Sequence, residues 1–80
     1  METQQLIKEL NEALAAEFEI EVSSITAEAD IKDTLDLDSL GLVDMVALVE
    51  NKFGVKIQSA DVAAIKTFDD LYNFLLGKLK

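Results

Sequence analysis

The chain has 80 residues, enough for one small domain that buries roughly 60% of its unfolded surface and folds without covalent cross-links. It contains no cysteine and no histidine, which excludes disulfides, thiolate metal sites and the most common general base at neutral pH. Sixteen acidic residues against seven lysines give a net charge of −9, which argues against binding to nucleic acid or to anionic membranes.

The first predicted element is a helix from Thr3 to about Glu17. Apolar side chains recur at three- and four-residue intervals, the spacing of one helix face, and glutamates occupy the remaining positions. Thr3 is a candidate cap for the start of this helix. The apolar stripe consists of Leu6, Ile7, Leu10, Leu14 and Phe18.

A long loop is predicted between Phe18 and Leu35, where the helical periodicity fails. Residues 19–22 alternate like a strand, but no second strand follows within pairing reach. A connection of this length is ordered only when buried side chains hold it. The side chains expected to hold it against the core are Ile20, Ile25, Ile31 and Leu35.

A second helix is predicted from Ser39 to about Lys52, ending at Gly54, which can adopt the left-handed conformation that closes a helix. At about 100° per residue, one side is apolar and expected to be buried. That side carries Leu42, Val46, Val49 and Phe53. The opposite side, expected to face solvent, carries Leu40, Asp44, Ala47 and Leu48. Two leucines that flank an acid on an exposed face indicate a small docking surface.

Two further helices are predicted in the last third of the chain. Ser59 can cap a short helix that ends near Ala64, with Val62 and Ile65 facing inward. The residues from Thr67 to Asp70 form a version of the capping box and open a final helix. The buried side of that helix carries Leu71, Tyr72, Leu75 and Leu79. The predicted fold is an all-α bundle of three principal helices and one short helix, with a long first loop, in a single domain of residues 1–80.

Asp38 and Ser39 stand at the start of the second helix. Aspartate and serine are preferred at any helix start, so the pair taken alone indicates a cap. A phosphate attached to the Ser39 hydroxyl would nevertheless be favoured there by the positive end of the helix dipole. The acidic excess is also concentrated around this position, since residues 28–50 hold seven acids against Lys32 alone, a net charge of −6 out of −9. That concentration favours docking onto basic patches of partner proteins.

A wider pattern surrounds this pair, and it consists of Leu35, Asp38-Ser39-Leu40, Val43-Asp44, Glu50, Phe53, Ile57 and Ile65. In these residues the chain resembles the acyl carrier protein family, without gaps from about Phe18 to the last helix. The resemblance implies the same helical fold and the function of a carrier. It implies that a transferase joins 4'-phosphopantetheine, taken from coenzyme A, to the Ser39 hydroxyl, and that the thiol of this group holds acyl intermediates as thioesters. Two residues depart from the family pattern: Asp36 stands where glycine is usual, and Gly41 where an acid is usual.

The resemblance implies further site residues and partners. Recognition by partners is expected through Asp38, Leu40, Asp44, Ala47 and Glu50. The acyl chain is expected to enter a cavity lined by Leu42, Val46 and Ile65. The implied partners are a phosphopantetheinyl transferase, acyl and malonyl transferases, and ketosynthases, all with basic docking patches. Neither a catalytic residue nor a metal ligand is expected in the chain, which is predicted to be a monomer.

Several alternatives remain open on the sequence. Fatty acid biosynthesis is the favoured pathway, and a polyketide, a specialised lipid or an aminoacyl group would use a similar carrier. A degenerate calcium loop beginning at Asp36 lacks two of its ligands. Ser39 as a nucleophile lacks a nearby base. In an acidic helical adaptor, Ser39 would be only a cap.

The sequence also carries an expectation about location. The longest apolar runs are far shorter than a membrane span, and the acidic opening at residues 1–3 is unlike a signal peptide. We therefore expect a soluble cytoplasmic protein that does not insert into membranes.

Overall fold

The computed structural model describes residues 2–79, which form five α-helices and one short 3₁₀ helix. In chain order these are α1 (Thr3–Phe18), the 3₁₀ helix (Val22–Ser24), α2 (Ile31–Leu35), α3 (Ser39–Phe53), α4 (Ser59–Ala64) and α5 (Phe68–Leu79). Residues 2–79 contain no β-strand, and a single isolated bridge pairs Asp30 with Thr67. The prediction of an all-α bundle is confirmed, with α2 as an additional helix.

The core is formed largely by α1 and α5, and α2, α3 and the connecting segments complete it. Leu6, Leu10 and Leu14 of α1 are fully buried, as the three- and four-residue spacing predicts. Their counterparts on α5 are Phe68, Leu71, Tyr72 and Leu75, all buried, while Leu79 is half-buried. Thr3 is not the cap of α1, because the cap position is Glu2, whose side chain makes no capping hydrogen bond.

The predicted long loop contains a helix that the periodicity did not show. α2 has only five residues, fewer than two turns, so an apolar stripe cannot form along it. Its start was nevertheless marked by Asp30, whose side chain accepts a hydrogen bond from the Asp33 amide at 3.1 Å. The predicted anchors of this region are confirmed: Ile25, Ile31 and Leu35 are buried and Ile20 is half-buried.

Backbone hydrogen bonds tie the end of this loop to the start of α5. The Ile31 amide donates to the Lys66 carbonyl at 3.0 Å, and the Phe68 amide donates to the Ala29 carbonyl at 3.2 Å. The Asp69 amide also reaches back, to the carbonyl of Ala27 at 2.9 Å. α2 is thereby fixed on the body of the molecule immediately before the chain enters α3.

The bounds of α3 are close to those predicted, but its buried face is different. Met45 and Val49 are its buried residues, and Leu48 is half-buried rather than exposed. Val43 lies three residues before Val46, which was predicted to face inward, and its side chain is 66% exposed. At about 100° per residue, the buried face is rotated by roughly 50° toward Met45 and Leu48.

The last two helices begin at capped turns. Ser59 is the first residue of α4 and not its cap, which is Gln58, whose amide donates to Asp61 Oδ2 at 3.1 Å. The capping box of α5 is confirmed, since the Asp70 amide donates to Thr67 Oγ1 at 3.2 Å and the Thr67 amide donates to Asp70 Oδ2 at 3.1 Å. The amides of Thr67 and Lys66 that donate to this carboxylate hold the pKa of Asp70 below its usual value.

No helix within residues 2–79 is long and apolar enough to cross a membrane.

Candidate functional site

A tight reversal of the chain delivers Ser39 to the start of α3. α2 ends at Leu35, and Asp36 then adopts the left-handed conformation with φ of 52°. The amides of Asp36 and Leu37 both donate to the carbonyl of Lys32, the latter at 3.0 Å. This arrangement closes α2 and turns the chain directly into α3. Asp36 therefore occupies a backbone conformation that suits glycine best, and aspartate better than most other residues.

Asp38 is the residue that caps α3. Its Oδ1 accepts a hydrogen bond from the Gly41 amide at 2.7 Å, in the usual geometry of a helix N-cap. Ser39 follows as the first helical residue, and it is exposed. The carboxylate thus satisfies the helix start, and the adjacent hydroxyl is not needed for capping.

A hollow of about 280 Å³ in the surface surrounds this hydroxyl. It is lined by Lys32, Leu37, Asp38, Ser39 and Leu42. The first amides of a helix have no partner within the helix and carry partial positive charge. The hollow therefore combines an accessible hydroxyl, the positive end of a 15-residue helix and the side chain of one lysine, a combination that suits an attached anion.

Four of the five residues expected to contact partners lie on the exposed surface of α3 and its cap. Asp38, Asp44 and Ala47 are exposed, and Leu40 is 80% exposed. We call these four residues the docking face. The exposed side chain of Val43 borders the docking face. Its exposure was not predicted, because the predicted solvent side of α3 was centred too close to Leu48.

Glu50, the fifth expected contact, is held in a different interaction. It is half-buried, and its Oε2 accepts a hydrogen bond from the Ile57 amide at 2.9 Å. The carboxylate therefore bridges α3 to the connection between α3 and α4. No sequence pattern signals this contact, because the two residues are seven positions apart and Ile57 contributes only its backbone.

Asp44 lies beside the end of α1. Asp44 raises the pKa of Glu17, because its carboxyl accepts a hydrogen bond from the protonated form of Glu17 and repels the charged form. The two acids increase the negative potential at one edge of the docking face.

The three expected cavity residues Leu42, Val46 and Ile65 line one small, partly open cavity. Its other walls come from α2 to α5 and are Ile31, Lys32, Met45, Ile57, Val62 and Leu71. The cavity volume is about 10 Å³, roughly the space that one water molecule needs. An open apolar groove of about 350 Å³ lies outside it and shares Leu42, Val46, Ile57 and Val62 with the cavity.

The calcium-loop alternative is wrong, because residues 39–47 lie in the continuous helix α3 and cannot wrap around an ion. The carboxylate of Asp38 is also used by the Gly41 amide.

Comparisons with known proteins match the sequence of this chain to a family. The family model described as the phosphopantetheine attachment site matches residues 8–75. The chain is 35% identical over 79 residues to the acyl carrier protein of Exiguobacterium sp., a match that covers 99% of this chain and all 100% of the relative. It is 36% identical over 72 residues to the meromycolate extension acyl carrier protein of Mycolicibacterium aurum, a match that covers 90% of this chain and 74% of the relative.

The fold is also similar to that of solved structures. The acyl carrier protein of Enterococcus faecalis matches with a TM-score of 0.80 at 24% identity, covering 98% of this chain and 99% of that structure.

Proposed function

The chain belongs to the acyl carrier protein family, whose members carry phosphopantetheine and are not themselves enzymes, and on that premise we propose that Ser39 is its attachment site. In this proposal a phosphopantetheinyl transferase joins the group to the Ser39 hydroxyl through a phosphodiester. The hydroxyl loses its proton, the pyrophosphate bond of coenzyme A is broken, and adenosine 3',5'-bisphosphate leaves. The thiol then holds acyl intermediates as thioesters and delivers them between enzymes. The favoured pathway is fatty acid biosynthesis.

The proposal is supported by the different contacts of Asp38 and Ser39. Asp38 caps α3, so the Ser39 hydroxyl is exposed and need not leave a structural contact in order to react. The helix N-terminus and Lys32 supply positive charge where the phosphate would be attached. No histidine is present anywhere in the chain, so activation of the hydroxyl is assigned to the transferase.

Mass spectrometry tests the attachment site. Incubation with coenzyme A and a broad-specificity transferase should add one phosphopantetheine group, and Ser39→Ala should abolish the addition. Ser59→Ala is the matched control, because Ser59 is likewise exposed at the first position of a helix and should leave the modification intact. An unmodified wild-type chain, under conditions that modify a known carrier, would contradict the proposal.

We propose that the docking face meets basic patches on the transferase, on acyl and malonyl transferases and on ketosynthases. Its exposed Leu40 and Ala47 lie between acidic side chains, which suits a small apolar contact with a charged rim. Asp44→Lys should slow modification and weaken its dependence on salt, because steering by opposite charge is reduced. Glu12→Lys, the same charge change on an exposed position of α1, should have a smaller effect.

Glu50 requires a separate pair of variants. Glu50→Gln removes the charge and keeps an oxygen that can accept from the Ile57 amide, whereas Glu50→Ala removes both. If Glu50 contributes to docking, both variants should slow modification. If it only braces the connection between α3 and α4, then Glu50→Ala alone should change the rate or the stability.

The cargo is proposed to be a fatty acyl chain, because apolar side chains of α3 and α4 surround both the cavity and the groove beside it. A carrier for a specialised lipid is the second candidate, which the similarity to the meromycolate extension carrier favours. Loading chains of increasing length should raise the melting temperature progressively, since each buried CH₂ contributes about 0.8 kcal/mol. A polyketide or aminoacyl cargo would show no such length dependence, because polar groups stay in water.

We further propose that the chain acts as a monomeric single domain in the cytoplasm. Its charge of −9 favours mutual repulsion between copies. Sedimentation of the apo and holo forms, and fractionation of cells that produce the chain, test these two statements separately.

A further inference from the structure

Lys32 is the single basic residue in the acidic stretch of residues 28–50. Its carbonyl accepts the amides of Asp36 and Leu37, so its backbone is fixed to the segment that leads into Ser39. Lysine carries an apolar stem that can pack on apolar surface while its ammonium group stays in water. The fold thus fixes the backbone of one lysine beside the start of α3.

The side chain of Lys32 borders three features at once, one of which is a hollow that it shares with Asp30 and Lys66. It lines the surface hollow that contains Ser39, and it also lines the small cavity formed with Leu42 and Val46. It is exposed, and the one ion pair found within residues 2–79 joins Lys52 Nζ to Glu9 Oε1 at 3.8 Å. Among those residues, the ammonium group of Lys32 therefore has no carboxylate partner.

A phosphate on Ser39 would add negative charge to a region that is already acidic. Asp36 and Asp38 are close in sequence on one side and Asp44 lies on the same helix, and each disfavours a further anion. The helix dipole offsets part of this repulsion, but it amounts to only about half a unit charge. A full positive charge within the same hollow would offset more.

We propose that Lys32 is the positioning residue for the prosthetic group, pairing its ammonium with the phosphate on Ser39 and holding the arm toward the cavity lined by Leu42 and Val46. This inference rests on the proposed attachment at Ser39. Pairing at the phosphate end leaves the remainder of the arm able to reach either the cavity or a partner.

Phosphorus NMR of the holo protein tests the pairing directly. The phosphodiester resonance of Lys32→Gln should differ from that of the wild type, and Lys32→Arg should restore it. Lys56→Gln is the matched control, because Lys56 is an exposed lysine that lines a separate hollow with Glu50 and Gly54. Raising the salt to about 1 M, where screening acts over about 3 Å, should move the wild-type resonance toward that of Lys32→Gln.

Thermal unfolding gives a second readout. We compare the melting temperature of the holo form with that of the apo form in each variant. This difference should be about 1–5 °C less favourable in Lys32→Gln than in the wild type, the effect of one exposed ion pair in a domain of this size. Comparing each variant with its own apo form removes any effect of the substitution on folding.

The outcomes separate the two proposals. In one outcome the group is attached at Ser39, and Lys32→Gln has the same phosphorus resonance and the same change in melting temperature as the wild type. That result overturns the role of Lys32 and leaves the attachment site intact. Changes of equal size in Lys56→Gln would overturn that role in the same way. If mass spectrometry finds no group on Ser39, both proposals fail.

Discussion

Asp38 and Ser39 are adjacent residues with separate tasks. Sequence preference cannot tell which of them caps the helix, because both types are favoured at that position. The structure assigns the cap to Asp38 through its hydrogen bond of 2.7 Å from the Gly41 amide. Ser39 is left as an exposed side chain whose hydroxyl can be altered without cost to the helix.

This separation predicts that substitutions at the two positions change stability by different amounts. Asp38→Ala should lower the free energy of unfolding by about 1 kcal/mol, the usual contribution of a cap. Ser39→Ala should leave it within about 0.5 kcal/mol, the range for surface positions outside such features. Urea unfolding of the two apo variants measures both values, and equal losses would show that the hydroxyl shares the capping role.

Asp36 carries a conformational strain that glycine would not. Its φ of 52° places its Cβ close to the carbonyl oxygen of the same turn, although aspartate tolerates this better than most residues. Asp36→Gly should therefore raise the free energy of unfolding by about 0.5 kcal/mol. Asp36→Asn is the control, since it removes the same charge and keeps the Cβ. A gain of equal size in both variants would assign the effect to charge.

At the scale of the helix, the side chains of α3 show how tertiary packing decides which face is buried. The residues Leu42, Val46, Val49 and Phe53 form the more apolar stripe, yet α3 is turned so that Met45 is buried. A helix with apolar residues on most of its circumference has no unique inner side by periodicity alone. Packing against the neighbouring helices determines which side of α3 is buried.

The rotation predicts which substitutions matter. Met45→Ala should destabilise the protein by about 2–5 kcal/mol, as expected for a buried side chain, while Val43→Ala should change stability by less than about 0.5 kcal/mol. Chemical unfolding of both variants provides the measurement. A larger loss of stability in Val43→Ala than in Met45→Ala would contradict the observed orientation of α3.

The capping box of α5 makes part of the stability dependent on pH. The folded-state pKa of Asp70 lies below the unfolded value, so its carboxylate stabilises the fold above the unfolded pKa and loses that contribution as the pH falls through the folded value. Asp70→Asn should be less stable than the wild type at pH 7. The gap between their melting temperatures should narrow below about pH 4. A gap independent of pH would show that the charge of Asp70 contributes nothing to the cap.

Much of this architecture was readable from the sequence, and the exceptions have physical causes. α1, α3 and α5 are long enough to show a period, and the capping box at Thr67 and the glycine at position 54 marked their limits. α2 is too short to show a hydrophobic period. The attachment site at Ser39 is predicted from the immediate neighbours of this residue and stays a prediction. The brace from Glu50 to the Ile57 amide and the pairing of Asp44 with Glu17 join different elements, so no local pattern could reveal them.

At the scale of the whole molecule, the cavity is small in this structure. Its volume of about 10 Å³ is far too small for an acyl chain, whereas the groove outside it holds about 350 Å³. The side chains shared by both, including Val46 and Val62, stand where a chain would pass inward. The proposed entry of a long acyl chain would therefore require α3 and α4 to move apart.

This predicts that filling the passage blocks sequestration. In Val62→Trp, the rise of melting temperature with acyl length should disappear, since the chain then stays in water and its methylene groups contribute nothing. Val22→Trp, at an exposed position of the 3₁₀ helix, should retain the rise. Thermal unfolding of each variant loaded with short and long chains makes the comparison, and a persistent rise in Val62→Trp would place the chain elsewhere.

The backbone hydrogen bonds from residues 27–31 to residues 66–69 have a consequence for the timing of maturation. They join segments almost forty residues apart, so α2 can settle only after the chain at the start of α5 has been synthesised and has left the ribosome. Until then the turn that presents Ser39 lacks its support. We expect a phosphopantetheinyl transferase to modify Ser39 only after the start of α5 has emerged from the ribosome. Nascent chains stalled before and after α5 emerges, when exposed to the transferase, would show this order of events.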